Sequence, residues 1–176
     1  MGRGKGFLLS FGVCGALAPG LKAGDLILGD AVIAGSERWT TNADWTARLA
    51  AALPGAQRAD VAASDAMIGS VADKEALYRA TGAKVVDMES HIAARIAARH
   101  GLAFAVVRAV SDAADHTLPA AALAGLRPDG QPDITAVLWS LAKNPAQLPA
   151  LLRTAREAEA GFRALERAAG AFSAAS

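Results

Sequence analysis

Three stretches of this chain pair an apolar run with a polar end, and it is there that chemistry has the residues it needs. Ser64-Asp65 follows Arg58–Ala63; Asp87-Met88-Glu89-Ser90 follows Lys84-Val85-Val86; Ser111-Asp112 ends a run that carries Arg108. In open α/β sheets, ligands bind beyond the carboxyl ends of the strands. A carboxylate where a buried strand stops is placed to donate a proton or to bind hydroxyl groups. The same positions have plain structural uses. Glu89 suits a helix N-terminus, where the dipole favours a negative charge, and Asp112 suits the cap of a turn. Position alone leaves both uses open. Gly12-Val13-Cys14-Gly15 is a further candidate, since glycine lets backbone N–H groups approach an anion closely. It has neither the Gly-Lys-Ser/Thr of a Walker loop nor the G-x-G-x-x-G spacing, so by itself it reads as a turn or as a ligand loop.

The elements that must carry these residues follow from periodicity and punctuation. Phe7–Phe11 reads as a buried strand stopping at Gly12, and Gly12–Gly15 as the tight loop it enters. Leu26–Ala34 is a second strand after the turn signals Pro19-Gly20 and Gly24-Asp25. Asp44–Leu53 has helical spacing, and Arg58–Ala63 is a weaker strand. Asp73 is predicted to cap a helix running through Ala80 and stopped by Gly82. Lys84–Met88 is strand-like, Glu89–His100 is helical, and Phe104–Val110 is the clearest buried strand. Two further helices are expected over Asp133–Ala142 and from Pro145 to about Phe172, the last with Asn144 as N-cap and proline in first position. Strands alternating with helices indicate an α/β layered fold, here as one domain over residues 1–176.

Composition narrows the classes. A chain of 176 residues, 53% of them hydrophobic, can bury a sizeable core. Its apolar segments are broken by charge before the about 18 to 20 residues of a membrane span, and the start lacks a secretory signal. The single Cys14 allows no internal disulfide, which suits a cytoplasmic setting. A net charge of +1 gives no electrostatic case for nucleic acid. His91, His100 and His116 have no metal-ligand spacing, so no metal is expected; they read as solvated or packing residues, and Trp39, Trp45 and Trp139 as core or interface. Leu148, Leu151, Leu152, Ala155, Phe162, Leu165, Ala169 and Phe172 recur at helical spacing, the pattern of a helix packed on its own sheet or a second subunit, or of transient contact with a membrane surface.

Four segments in order resemble a known family. Val86-Asp87-Met88-Glu89-Ser90, then Val107–Asp112 about twenty residues later, is similar to the motif pair of the purine nucleoside phosphorylase and methylthioadenosine/S-adenosylhomocysteine nucleosidase superfamily. Ser10–Leu17 with Leu21–Leu26 resembles its glycine loop and following strand, and Ser64-Asp65-Ala66-Met67-Ile68 its base-pocket segment. The resemblance implies a three-layer fold, with a central twisted mixed sheet flanked by helices. It implies cleavage of a purine nucleoside, with no cofactor but inorganic phosphate as a conceivable co-substrate, by a homo-oligomer. Glu89 would accept hydrogen bonds from the ribose hydroxyls, with Met88 packed on the sugar. Asp112 would protonate the purine N7, positioned by Ser111. Arg108 would orient Glu89 or contact phosphate, Met67 and Ile68 would line the base pocket, and Gly12, Val13, Cys14 and Gly15 would form the ligand loop.

Val13 replaces a hydroxyl residue common in relatives, and Met67 an aromatic. The family also carries a strand–helix unit before the strand that starts here at Phe7, with a phosphate loop and a water-activating glutamate; the expectation is that the chain lacks it. Ser111–Asp115, Leu118-Pro119, Gly125–Gly130 and Asn144–Pro149, together with Val86–Arg95, resemble the hopanoid-associated phosphorylases, which implies adenine release from adenosylhopane, a lipid-linked nucleoside of hopanoid biosynthesis. The alternatives are a methylthioadenosine/S-adenosylhomocysteine nucleosidase and, in a different class, a non-catalytic binding subunit of the same fold.

Overall fold

The computed structural model describes residues 6–124 and 134–174. Six strands, β1 (Phe7–Ala16), β2 (Leu26–Ala34), β3 (Glu37–Thr40), β4 (Gln57–Ala63), β5 (Val85–Asp87) and β6 (Ala103–Asp112), form one mixed sheet in the order β3-β2-β4-β5-β1-β6. Leu26–Leu28 of β2 also pairs antiparallel with Val107–Ala109 of β6, so five strands close into a ring and β3 hangs from β2 as a hairpin arm. Closure gives each ring strand two neighbours and leaves none of the five as an unpaired edge.

Alternation along β6 divides the core. Ala105 and Val107 pack with Leu28 against Leu49, Leu53 and Ala168, which belong to α1 (Ala43–Ala52), its C-cap and α6 (Leu148–Ala174). Phe104, Val106 and Val110 pack with Ile27, Val61 and Val85 against Ala94 and Ala97 of α3 (Ser90–His100). α2 (Val71–Thr81) lies between β4 and β5; α4 (Ala120–Ala124) and α5 (Ile134–Lys143) precede α6.

The differences from the sequence reading have local causes. β1 does not stop at Gly12: it continues to Ala16, paired in parallel with β6 up to Gly15, and the two glycines lie inside the strand. Their missing side chains make room for β6 residues, a use of strand glycine as informative as a turn. The α2 cap is Ser70, not Asp73: Ser70 Oγ accepts from Asp73 N at 3.1 Å and donates to the Asp73 carboxylate at 2.6 Å, so both residues of a capping box are present. After Asn144-Pro145 the chain makes one 3-10 turn, and the Asn144 side chain makes no cap bond. The strand β3 was not foreseen, because Glu37-Arg38-Trp39-Thr40 carries little apolar signal; Gly35, at φ 58°, supplies the left-handed turn before it.

The apolar residues of α6 divide differently from the expected stripe. Gly161, Ala164, Leu165 and Ala168 are buried, while Leu148, Leu152 and Phe162 are exposed. Trp139 on α5 is 65% exposed beside Lys143. The Gly125–Gly130 segment and Asp133 lie outside the described residues. Among the described residues no helix is long and apolar enough to cross a membrane.

Candidate active site

The carboxyl ends of β1, β4, β5 and β6 meet around a cleft of about 780 Å³. Val13, Cys14 and Gly15 line it from β1; Asp65, Ala66, Met67 and Ile68 from the loop after β4; Met88 and Glu89 from the β5–α3 junction; Ser111 and Asp112 from β6; Leu118 and Leu123 cover the far side. Nine of the eleven residues singled out from sequence therefore face one space. Gly12 and Arg108 stand behind it.

Arg108 is 2% exposed and builds the frame that holds Glu89. Its Nε donates to Asp87 Oδ2, and its Nη2 donates to Ser10 Oγ at 2.7 Å and Ser90 Oγ at 2.9 Å. Asp87 in turn accepts from Glu89 N at 3.1 Å and Ser90 N at 2.9 Å, satisfying two donors at the start of α3. A buried charge pair of this kind is tolerated when further hydrogen bonds surround it, as those of Ser10, Ser90 and the two backbone N–H groups do here. Arg108 thus acts on the backbone of Glu89 through Asp87 and Ser90 and makes no bond to the Glu89 side chain. Gly12 is what admits it: a Cβ there would stand 2.7 Å from Arg108 Nη1. The Glu89 carboxylate itself is exposed to the cleft and has no ion pair or hydrogen bond among the described residues, which leaves its oxygens free for ligand hydroxyls.

Asp112 has a different environment. A register shift between β1 and β6 pairs Cys14 with Val110 and Gly15 with Asp112, so Ser111 bulges out and Asp112 turns toward the cleft wall. Ser111 Oγ lies 3.0 Å from Asp112 Oδ1 and 3.1 Å from Cys14 O. Gly15 leaves the carboxylate uncovered; a Cβ there would approach its oxygens to 3.1 and 3.3 Å. On the other side, Lys74 of α2 reaches Asp112 Oδ2 at 2.5 Å, and it also donates to Ala113 O and His116 O, each at 2.8 Å. Lys74 was not foreseen, although the sequence holds a signal for it. Lys74 shares a helical stripe with Tyr78, and a lysine on the inward side of a helix is unusual enough to need a partner.

Three other groups complete the surroundings. The Cys14 thiol is pushed well above its usual value by burial, with the Arg108 charge opposing and Asp87 and Asp112 adding to the rise. His91 is buried, its Nε2 2.9 Å from Asp65 Oδ1, while its Nδ1 has no hydrogen-bond partner among the described residues. His116 sits behind the Asp112 segment with Nδ1 3.0 Å from Glu157 Oε2 of α6. Burial would raise the Glu157 carboxyl, but hydrogen bonds from His116 and Arg153 and their charges outweigh it and lower it. Among the described residues no group of His, Cys, Asp and Glu is arranged to hold a metal ion.

The sequence profile of the phosphorylase superfamily matches residues 6–155. Among solved structures, the chain is similar to the Helicobacter pylori 5′-methylthioadenosine/S-adenosylhomocysteine nucleosidase, with a TM-score of 0.60 and 18% identity over 93% of this chain and 68% of that one. It is similar to futalosine hydrolase of Helicobacter pylori, with a TM-score of 0.57 and 21% identity over 60% of this chain and 57% of that one. The S-adenosylhomocysteine nucleosidase of Streptococcus pyogenes, solved with 5-methylthiotubericidin, gives a TM-score of 0.56 and 22% identity, over 61% and 56%. The chain thus spans between 56% and 68% of the length of these three structures. No curated protein matches it.

Proposed function

This chain belongs to the phosphorylase superfamily, and from that premise we propose that it cleaves the N-glycosidic bond of an adenine nucleoside and releases adenine. One observation carries the reading: Glu89 and Asp112 open onto the same cleft, the first unpaired and the second anchored, with apolar walls between them. Glu89 accepts hydrogen bonds from the ribose 2′- and 3′-hydroxyls, and Met88 packs on the sugar. The base lies between Met67, Ile68 and Val13, with its N7 toward Asp112. As the bond breaks the sugar gains positive character, which the Glu89 charge stabilises, while a proton at N7 lets the base leave neutral. Arg108 keeps Glu89 in place and does not touch the ligand.

The finer reading is adenosylhopane as substrate, in hopanoid side-chain synthesis in the cytoplasm, with phosphate as the attacking group. It is supported by the resemblance of Val86–Arg95 and of the segments from Ser111 to Pro149, and by an apolar surface that suits a large 5′ group. Leu123 at the cleft, Ile134, Leu138 and Trp139 of α5, and Leu148 of α6 are all exposed. A second reading, hydrolysis of small nucleosides such as methylthioadenosine, is favoured by the names of the structural neighbours.

The test is adenine release from adenosylhopane and from methylthioadenosine, each with and without phosphate. Phosphate-dependent release from the lipid supports the finer reading, and phosphate-independent release from the small nucleoside supports the second. In either case Glu89→Gln is expected to lower kcat/KM about 100-fold or more, as the loss of charge stabilisation at the sugar requires. Adenine binding without release from any nucleoside would reject the enzyme and leave a binding subunit.

A further inference from the structure

We propose that Lys74 supplies the proton that Asp112 passes to the departing base, so that the acid of this site is the buried Lys74–Asp112 pair. The inference rests on the adenine-release reading and deepens it. Lys74 is 1% exposed, and its ammonium group meets three acceptors: Asp112 Oδ2 at 2.5 Å, Ala113 O at 2.8 Å and His116 O at 2.8 Å. Those three account for every donor a lysine has. Burying an ammonium group is costly unless it is paired and fully hydrogen-bonded, and this one is both. Asp112 is held on its other oxygen by Ser111 Oγ at 3.0 Å, so its carboxylate is occupied on both sides before a ligand binds. Ala113 and His116 belong to the turn that follows β6, so α2 also clamps the segment that carries Asp112.

Bond cleavage at the sugar sends the electron pair of the C1′–N9 bond to the base, and a proton must reach the base for it to leave neutral. In this geometry the nearest proton is on Lys74. It moves from Lys74 Nζ to the Asp112 carboxylate and from the carboxyl to N7. Lys74 ends as a neutral amine beside the two carbonyls, and after the base departs it regains a proton from solvent through Asp112. Lys74 never touches the base; it is a positioning residue acting through Asp112.

The test is adenine release, from whichever of adenosylhopane and methylthioadenosine the wild type cleaves, as a function of pH for the wild type, Lys74→Met, Lys74→Gln, Asp112→Asn and the Lys74→Met/Asp112→Asn double variant, each with a thermal melt. At about pH 8, Lys74→Met should fall about 100-fold or more, the scale of a lost acid. Toward about pH 5.5, where more abundant solvent protons can replace the relay, it should recover to within about tenfold of wild type. The double variant should be no slower than Asp112→Asn alone, because residues acting as one unit are not additive. Between neutrality and about pH 9 the wild type should lose less activity than Lys74→Met, because its proton donor lies within the site. A loss that is equal at every pH, additive losses in the double variant, or wild-type activity that falls above neutrality as steeply as that of Lys74→Met would each overturn the role of Lys74. If Lys74→Met does not fold, Lys74→Gln and the wild-type profile carry the decision. A wild type that releases no adenine sinks the adenine-release reading itself, whereas an active wild type with pH-flat variants sinks only the part given to Lys74.

Discussion

At the scale of single residues the cleft separates two carboxylates by what holds them. Glu89 is positioned through its backbone, by Asp87 and the buried Arg108 behind it, which leaves the side chain free. Asp112 is positioned through its side chain, by Lys74 and Ser111. Both acids were visible in the sequence because each breaks an apolar run. The difference between them was not, since it depends on partners 38 and 21 positions away from Asp112 and Asp87 respectively. Cys14 also lines the cleft, and burial holds its thiol in the neutral form. The thiolate is the reactive species, so Cys14 should resist iodoacetamide in the folded protein and react promptly in denaturant. Rapid native-state alkylation at neutral pH would contradict its placement.

At the scale of elements, glycines decide which pieces can touch. Gly12 and Gly15 read in sequence as a loop because glycine after an apolar run is the usual sign of a turn. Here they continue β1 and clear space for Arg108 and Asp112, a need set by the neighbouring strand that no local pattern records. Gly161 does the same for α6: a Cβ there would stand 2.9 Å from Val110 O and 3.3 Å from Ser111 Cα. The face buried on α6 is mostly one of small residues, Gly161, Ala164 and Ala168 beside Leu165, with Gly161 laid against the bulge that presents Asp112. The sequence reading chose Leu148, Leu151, Leu152, Ala155, Phe162, Leu165, Ala169 and Phe172; Leu165 is buried and Phe172 packs on the core, whereas Leu148, Leu152 and Phe162 are exposed. Gly161→Ala should therefore cost about 1–3 kcal/mol in chemical denaturation, the usual range for overpacking, and lower activity by moving Ser111 and Asp112. An unchanged midpoint and unchanged adenine release would show that the contact has slack.

At the scale of the whole molecule, Glu157 and Cys14 each contribute to how stability depends on pH. The Glu157 carboxyl is lowered in the folded state, so the stability it contributes is present above its unfolded value, about 4.3, and is lost as pH falls through the folded one. The Cys14 thiol is raised, so its contribution is present below about pH 8.5 and is lost as pH rises toward the folded value. Melting temperatures should form a plateau between those limits. Glu157→Gln should flatten the acid side, Cys14→Ala the alkaline side, and a variant that leaves its own side as steep as wild type would refute the assignment. The sequence alone determined the element order apart from β3 and α4, the α/β class, the family and the four segments that line the cleft. Hydrophobic periodicity and strand-end polarity are local properties, written within a few residues of where they act. Tertiary structure decided what is non-local: the β2–β6 pairing that closes the ring, the retreat of Arg108 behind the cleft, and the arrival of Lys74 at Asp112 from another helix. Each of these brings together residues far apart in the chain, and only packing in three dimensions sets which buried charge finds which partner.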